Sequence, residues 1–113
     1  MLPDEAWAAK DSVQFLDVRE FYEYDAGHIE GALHIPLRHL PGHFDRLDRE
    51  RPVIVACQIG QRSALAADFL CERGFEAKNL EGGMTLWASK GLPFVSNEGN
   101  EGAVVDGWAQ TLE

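Results

Sequence analysis

One cysteine in this sequence is followed by residues of the kinds that hold an anion. Cys57 opens the segment Cys57-Gln-Ile-Gly-Gln-Arg-Ser63. Gly60 permits a backbone turn that other residues avoid, so that successive N–H groups can point inward around the Cys57 Sγ atom. A helix beginning at Ser63 adds its positive N-terminal end, and Arg62 adds a fixed cation. Together these features favour the thiolate form of Cys57, which is the nucleophilic form.

The elements around this segment are predicted to present the cysteine on a tight loop. Residues 52–56 are a continuous apolar run, which is typical of a strand buried on both faces of a parallel sheet. Residues 58–62 are predicted to turn. Residues 63–73 have apolar side chains at helical spacing, and Gly74 stands where the residue just beyond a helix is expected. The sequence therefore predicts a nucleophile between a strand and a helix.

Strands and helices are predicted to alternate along the rest of the chain. Apolar and β-branched runs indicate strands, and helical spacing between them indicates short helices or helical turns. The further predicted strands are residues 13–18, 32–35 and 77–80, and the further predicted helices are residues 4–10, 21–25, 40–47 and 85–90. Such alternation is typical of an α/β fold with a parallel sheet.

Three polar or glycine-containing segments follow predicted strands. They are residues 17–20, 57–63 and 81–83. Ligands of parallel α/β sheets bind beyond the carboxyl ends of the strands, because loops and helix N-termini converge there. We therefore expect the three segments to share one edge of the sheet.

Length and composition indicate one globular domain. The chain has 113 residues, of which 45% are hydrophobic and 26% charged, the balance of an ordinary soluble protein. No apolar run approaches a membrane span, and residues 1–10 lack the pattern of a signal peptide, so a cytoplasmic location is expected. The net charge of −9 disfavours nucleic acid and anionic membranes as partners.

Residues 96–113 are predicted to be an acidic, Gly-rich tail that follows a domain of residues 1–95. The tail contributes −4 of the −9, which leaves −5 for the domain, because it contains four acidic residues and no Lys or Arg. The acidic residues are Glu98, Glu101, Asp106 and Glu113. Its apolar residues lie around Trp108 and form a patch that can dock.

The second cysteine and the histidines are interpreted as structural. Cys71 lies near the C-terminal end of a predicted helix, away from any positive helix end, so packing is expected rather than a role as a resolving thiol. His28 is expected to stabilise a turn. The other three histidines have no ligand pair at the spacing of a metal site, so no metal is expected; they are His34, His39 and His43.

Four stretches of the sequence resemble the rhodanese homology family, in the family's order and spacing, over about residues 4–95. A lone Cys-x-x-Gly-x-Arg pattern would be weak evidence, whereas the four motifs together are specific. The stretches are Phe15-Leu-Asp-Val-Arg-Glu20, Gly27-His-Ile-Glu-Gly-Ala-Leu-His-Ile-Pro36, Val53-Ile-Val-Ala-Cys57 with Gly60 and Arg62-Ser63 behind it, and Leu80-Glu-Gly-Gly-Met84 with Trp87.

The resemblance implies a three-layer α/β/α rhodanese-like fold with a parallel sheet of four to five strands. The range arises because only residues 1–3 precede the first predicted helix, where the family has a strand. Cys57 is implied to carry the sulfur. Asp17 and Arg19 match charged positions beside the site and are expected to support the loop by hydrogen bonds to its backbone. The residues expected to bind substrate are Gln58, Ile59, Gly60, Gln61, Arg62 and Ser63.

The implied activity is sulfur transfer through a Cys57 persulfide. A sulfane sulfur would pass from thiosulfate or a persulfide to cyanide, a thiol or a protein, without a metal or organic cofactor, and a sulfur-relay protein is a further expected partner. Gln58, Ile59 and Gln61 are uncharged where efficient thiosulfate users in the family have cations. This departure leaves the physiological donor open.

Three alternatives remain at this stage. A phosphatase or arsenate reductase would need five residues between cysteine and arginine to surround a tetrahedral oxyanion, and this chain has four. A non-catalytic binding or regulatory module would not need Cys57, Gly60 and Arg62 together. A redox sensor would require a disulfide between Cys57 and Cys71, which the sequence alone cannot place in reach of each other.

Overall fold

The computed structural model describes residues 1–96, in which four strands form one parallel sheet. The sheet order is β2-β1-β3-β4, and all three pairings are parallel. The strands are β1 (Gln14–Asp17), β2 (Leu33–His34), β3 (Val53–Ala56) and β4 (Ala77–Asn79), and the helices are α1 (Pro3–Ala8), α2 (Phe21–Ala26), α3 (Leu40–His43), α4 (Gln61–Glu72) and α5 (Gly83–Ser89). The predicted α/β fold is confirmed, with four strands.

The sheet divides the core into two clusters, because successive side chains of a strand point to opposite faces. Phe15 and Ile54 belong to one cluster, together with residues of α1 and α5. Leu16 and Val55 belong to the other, together with residues of α3 and α4. Helices therefore cover both faces, as a three-layer arrangement requires.

The central strand β3 brings the chain to the middle of the carboxyl edge. It pairs with β1 on one side and β4 on the other, and its four residues are at most 2% exposed. This burial matches the apolar run of residues 52–56. Cys57 is the next residue, so its backbone leaves the sheet from the most enclosed position.

Within the described residues no strand is assigned before α1, where the family resemblance places an edge strand, but Met1 is hydrogen-bonded beside the sheet. The α-amino group of Met1 donates to the Asn79 carbonyl at 2.8 Å, and the Glu81 N–H donates to the Met1 carbonyl at 2.9 Å. The chain then enters α1 at Pro3. Met1 thus continues the hydrogen bonding of the sheet beside the end of β4.

Two helices begin two residues earlier than predicted, because a left-handed glycine precedes each of them. Gly60 has φ +105° and α4 begins at Gln61. Gly82 has φ +75° and α5 begins at Gly83. Gln61 and Arg62, which were expected in a turn, therefore belong to the first turn of α4.

The helix predicted over residues 40–47 is also different in the structure. It is a single α-helical turn, α3, between two 3₁₀ turns at Leu37–His39 and Phe44–Arg46. Pro41 lies in its first turn, where the missing N–H is tolerated, but Gly42 follows directly and favours the helix little. Gly74 does follow the end of α4, with φ +90°, as predicted.

Candidate active site

The Cys57 sulfur lies at the N-terminal end of α4. The Gly60 N–H donates to Sγ at 3.1 Å, and the Ser63 Oγ atom lies 3.2 Å from Sγ. Cys57 is 1% exposed and Ser63 is fully buried. The left-handed conformation of Gly60 turns its amide toward the sulfur, and the positive end of the twelve-residue helix lies beside it. A backbone amide and the positive end of a helix are therefore both directed at the sulfur.

Replacing Gly60 by alanine is expected to reduce the reactivity of the Cys57 sulfur more than the stability of the domain. A Cβ at Gly60 would meet its nearest neighbours at 3.5 Å or more, so the cost comes from φ and is about 1–2 kcal/mol of unfolding free energy. Relaxation of φ would turn the amide away from Sγ, and we expect the alkylation rate of Cys57 to fall about tenfold. Iodoacetamide kinetics and urea unfolding measure the two effects.

Gly74→Ala is the matched control for this substitution. Gly74 has φ +90° at the other end of α4, and a Cβ there would lie 3.4 Å from the flexible end of Arg49. The control should lose similar stability and keep the alkylation rate. Equal alkylation rates in the two variants would contradict the role given to the Gly60 amide.

The first turn of α5 holds the backbone of the cysteine loop. The Met84 N–H donates to the Cys57 carbonyl at 2.8 Å, and the Thr85 N–H donates to the Gln58 carbonyl at 3.0 Å. Gly83 lies so close that an added Cβ would come under 3.0 Å from both carbonyl oxygens. Residues 81–83 and 57–63 therefore share the carboxyl edge of the sheet, as the sequence predicted.

Ser63 is positioned by a residue that sequence reasoning missed. Its hydroxyl donates to Oδ1 of Asn79, the last residue of β4. Asn79 thus links the end of β4 to a hydroxyl group beside Sγ. The available signal was a polar residue at the carboxyl end of a strand, where ligand sites of parallel sheets form.

Asp17 and Arg19 form a buried ion pair next to the loop. They are 1% and 0% exposed, and the Arg19 Nη2 atom donates to Asp17 Oδ2 at 2.8 Å and to the Gly27 carbonyl at 2.7 Å. The Arg19 Nη1 atom lies 3.5 Å from the side-chain oxygen of Gln58. The pair therefore lies beside the loop. We expected it to bond to the loop backbone, but its contact with Gln58 is to the side chain.

Arg62 is held by Glu23, a second residue that the sequence did not single out. The Arg62 Nη1 and Nη2 atoms donate to the two Glu23 carboxylate oxygens at 2.7 and 2.8 Å. Burial acts to raise the pKa of Glu23, but the hydrogen bonds from Arg62 and the Glu20 backbone, with the positive charges of Arg62 and Arg19, lower it overall. Hydrogen bonding to Glu23 raises the pKa of Arg62, against the effect of burial. The expected cation is therefore present, but it is paired with a carboxylate.

The stability of the domain is expected to depend on the ionisation of Glu23. Its pKa in the folded state lies below the ordinary value of 4.5, so its contribution is present above that pH and is lost as the pH falls through the folded pKa. Glu23→Gln should lose about 1–2 kcal/mol at neutral pH and lose less than the wild type on acidification. Urea unfolding over a pH series measures both.

Glu72→Gln is the control for the acid series, because Glu72 is 76% exposed and lies 3.8 Å from Arg73. Its unfolding free energy should follow that of the wild type at every pH. Parallel curves for Glu23→Gln and the wild type would show that Glu23 does not carry the acid sensitivity.

Histidine nitrogens contact backbone carbonyls in the described residues. The His28 Nδ1 atom lies 2.7 Å from the Tyr24 carbonyl, and the His34 Nε2 atom lies 2.7 Å from the Arg19 carbonyl. The His43 Nδ1 atom lies 3.0 Å from the His39 carbonyl. Within residues 1–96 there is no group of three His, Cys, Asp or Glu side chains that could hold a metal ion.

Cys71 is exposed, so the prediction that it packs in the core was wrong. Its Sγ atom donates to the carbonyl of Ala77, at the start of β4. Cys71 lies ten positions after Gln61 along α4, which is a rise of about 15 Å. Because the Cys57 Sγ atom lies 3.1 Å from the Gly60 nitrogen at the start of α4, this rise places Cys71 too far away for a disulfide with Cys57, in which the two Cα atoms would have to lie within about 7 Å.

Comparison with known proteins agrees with the fold. A family model described as Rhodanese-like domain matches residues 2–90, which is most of the chain. The chain belongs to the rhodanese-like domain family. No helix of this rhodanese-like domain within residues 1–96 is long and apolar enough to cross a membrane.

Relatives of this rhodanese-like domain include proteins named as sulfurtransferases. The chain is 38% identical over 77 residues to Thiosulfate sulfurtransferase GlpE of Shewanella oneidensis, covering 67% of this chain and 76% of the relative. It is 34% identical over 93 residues to a protein of Allochromatium vinosum named Sulfurtransferase, covering 81% and 87%. A crystal structure of a rhodanese-related protein from Thermoplasma volcanium superposes with a TM-score of 0.82 at 32% identity, covering 84% and 95%.

Proposed function

We propose that this rhodanese-like domain is a sulfurtransferase that carries sulfur as a persulfide on Cys57. The observation that carries this proposal is the placement of Sγ, within 3.2 Å of the Gly60 amide and the Ser63 hydroxyl at the N-terminus of α4. The relatives named as sulfurtransferases support the same class of reaction. The net charge of −9 disfavours nucleic acid and anionic membranes, which supports a small sulfur compound or a relay protein as partner. The proposed location is cytoplasmic.

The proposed reaction has two displacement steps. In the first, the Cys57 thiolate attacks the sulfane sulfur of a donor; an S–S bond to Sγ forms, and the remainder of the donor leaves with the electron pair of the broken bond. In the second, an acceptor nucleophile attacks the outer sulfur, and the electron pair returns to Sγ. The Gly60 amide and the positive end of α4 stabilise negative charge on Sγ before and after transfer.

Mass spectrometry of the protein after incubation with a sulfane donor tests the proposal. Cysteine persulfide or thiosulfate should add one sulfur atom to Cys57 and none to Cys71, and cyanide should remove that sulfur as thiocyanate. Sulfur found on Cys71, or on neither cysteine with either donor, would contradict the proposal. The second result would favour a non-catalytic binding module.

The geometry does not favour a phosphatase. Only four residues separate Cys57 from Arg62, and the Arg62 guanidinium is bound through both terminal nitrogens to Glu23. A tetrahedral phosphate would therefore compete with a buried carboxylate for that group. We expect the wild-type protein to leave aryl phosphates intact at concentrations where sulfur loading is complete.

A further inference from the structure

The two arginines beside the Cys57 loop are both paired with buried carboxylates. Arg62 donates to both oxygens of Glu23, and Arg19 donates to Asp17. The carboxylate partners Glu23 and Asp17 are 2% and 1% exposed, so solvent screens these pairs weakly. The net charge of each pair is therefore close to zero for a molecule that approaches the loop.

The loop itself adds no charge to this neutral surrounding. The four residues between Cys57 and Arg62 are Gln, Ile, Gly and Gln. The positive end of α4 and the Gly60 amide are directed at Sγ, where they stabilise the anionic sulfur of the enzyme. Within residues 1–96, the two arginines beside the loop are thus already paired when a donor with two negative charges approaches the thiolate.

The Cys57 loop exposes an apolar side chain and buries the reacting sulfur. Ile59 is 56% exposed, whereas Cys57, two residues before it, is 1% exposed. A donor must therefore bring its reacting sulfur to a nearly inaccessible Sγ atom past an exposed apolar side chain. A hydropersulfide R–S–SH presents its outer sulfur without a bulky charged neighbour, while thiosulfate carries its sulfane sulfur on a dianion with a bulky SO₃ group.

We infer that the sulfur donor of this domain is a thiol persulfide rather than thiosulfate, an inference that rests on the proposed function of Cys57. The pairing of Arg62 with Glu23, the uncharged loop and the exposed Ile59 side chain select a donor of low charge. The name of the relative from Shewanella oneidensis describes that protein's donor as thiosulfate, so the inference separates this chain from it.

The loading step balances without an oxidant or reductant. The Cys57 thiolate attacks the outer sulfur of R–S–SH, and a bond from Sγ to that sulfur forms. The bond between the two donor sulfurs breaks, R–S⁻ leaves with its electron pair and takes up a proton from water. The products are Cys57–S–SH and the thiol R–SH.

Loading rates from two donors test the inference. Cysteine persulfide and thiosulfate are compared at equal concentrations, and sulfur on Cys57 is followed by quenched-flow mass spectrometry. The wild type should load at least about tenfold faster from the persulfide. Ile59→Lys, at an exposed position, should raise the rate with thiosulfate relative to the persulfide about tenfold, and added salt should reduce this gain.

Leu65→Lys is the matched control, because it adds the same charge at a position of α4 that is 64% exposed and outside the loop. Its donor ratio should remain near that of the wild type. Glu23→Gln, which releases the charge of Arg62, should shift the ratio toward thiosulfate in the same direction as Ile59→Lys.

Two outcomes overturn the inference while leaving the proposed function intact. One is equal or faster wild-type loading from thiosulfate, and the other is a donor ratio that Ile59→Lys and Glu23→Gln leave unchanged. Absence of sulfur on Cys57 with both donors would instead overturn the proposed function, and the inference with it.

Discussion

Cys57→Ser is expected to lose sulfur loading by about a thousandfold or more while the domain stays folded. Serine is nearly isosteric with cysteine and can accept the Gly60 N–H bond, so we expect the unfolding free energy to change by about 1 kcal/mol or less. Its alkoxide is too basic to form at neutral pH, and a hydroxyl group therefore cannot attack sulfur. Loading is measured by mass spectrometry, and folding by circular dichroism during urea titration.

Cys71→Ser is the matched control, because it removes a thiol group at a position that is not the proposed nucleophile. Cys71 is exposed near the far end of α4, so its replacement should leave both loading and stability at wild-type values. Substantial transfer by Cys57→Ser, or loss of transfer in Cys71→Ser, would show that Cys57 is not the cysteine that carries the sulfur.

Gly83→Ala is expected to cause the largest loss of stability among single-methyl additions in the described residues. Gly83 has φ +58°, and the added Cβ would come under 3.0 Å from the carbonyl oxygens of Cys57 and Gln58. Relief of this overlap must move the loop or the first turn of α5, which breaks the bonds from Met84 and Thr85. We expect a loss of about 3 kcal/mol or more and a loading rate at least about tenfold lower.

Gly91→Ala is the control for Gly83→Ala, because it changes a glycine of similar backbone conformation without any steric overlap. Gly91 has φ +73°, and an added Cβ there meets nothing within 4 Å. Its cost should be limited to about 1–2 kcal/mol for the left-handed conformation, with normal loading. Similar losses in the two variants would show that the contact of Gly83 with the loop matters little.

The sequence predicted the structure correctly where the residues of one segment determine that segment's own conformation. The apolar run before Cys57 predicted β3 correctly, because a strand buried on both faces has no polar positions to satisfy. The left-handed conformation of Gly60 followed from glycine and the tight turn that the short spacing requires. The topological rule for parallel sheets then predicted that residues 81–83 lie beside this loop, which the close approach of Gly83 to the Cys57 and Gln58 carbonyls confirms.

Partners that are distant in sequence were not predictable in the same way. Glu23 is one acidic residue on a six-residue helix, and nothing local connects it to Arg62, 39 positions later. Asn79 reaches Ser63 only because β4 packs beside β3. Such contacts depend on the relative placement of elements, which a single sequence does not determine.

The orientation of α4 also required the structure. The helical spacing of two apolar pairs, Leu65 with Phe69 and Ala66 with Leu70, predicted the helix but not which pair faces the sheet. In the structure Leu65 is 64% exposed. The buried face contains the small residues Ala66 and Ala67, which allow the helix to approach the sheet closely. This rotation also turns Cys71 outward, which is why its predicted packing was wrong.

The burial of β3 has a consequence for how long a bound sulfur would survive. Amides of a strand that is enclosed on both faces and paired on both edges exchange with solvent mainly through global opening, while peripheral segments open far more often. Cys57 directly follows this strand, so we expect its backbone to open together with the strand. The lifetime of a stored sulfur would then depend on encounters with acceptors at the loop. It would not depend on local unfolding that exposes the sulfur to other thiols.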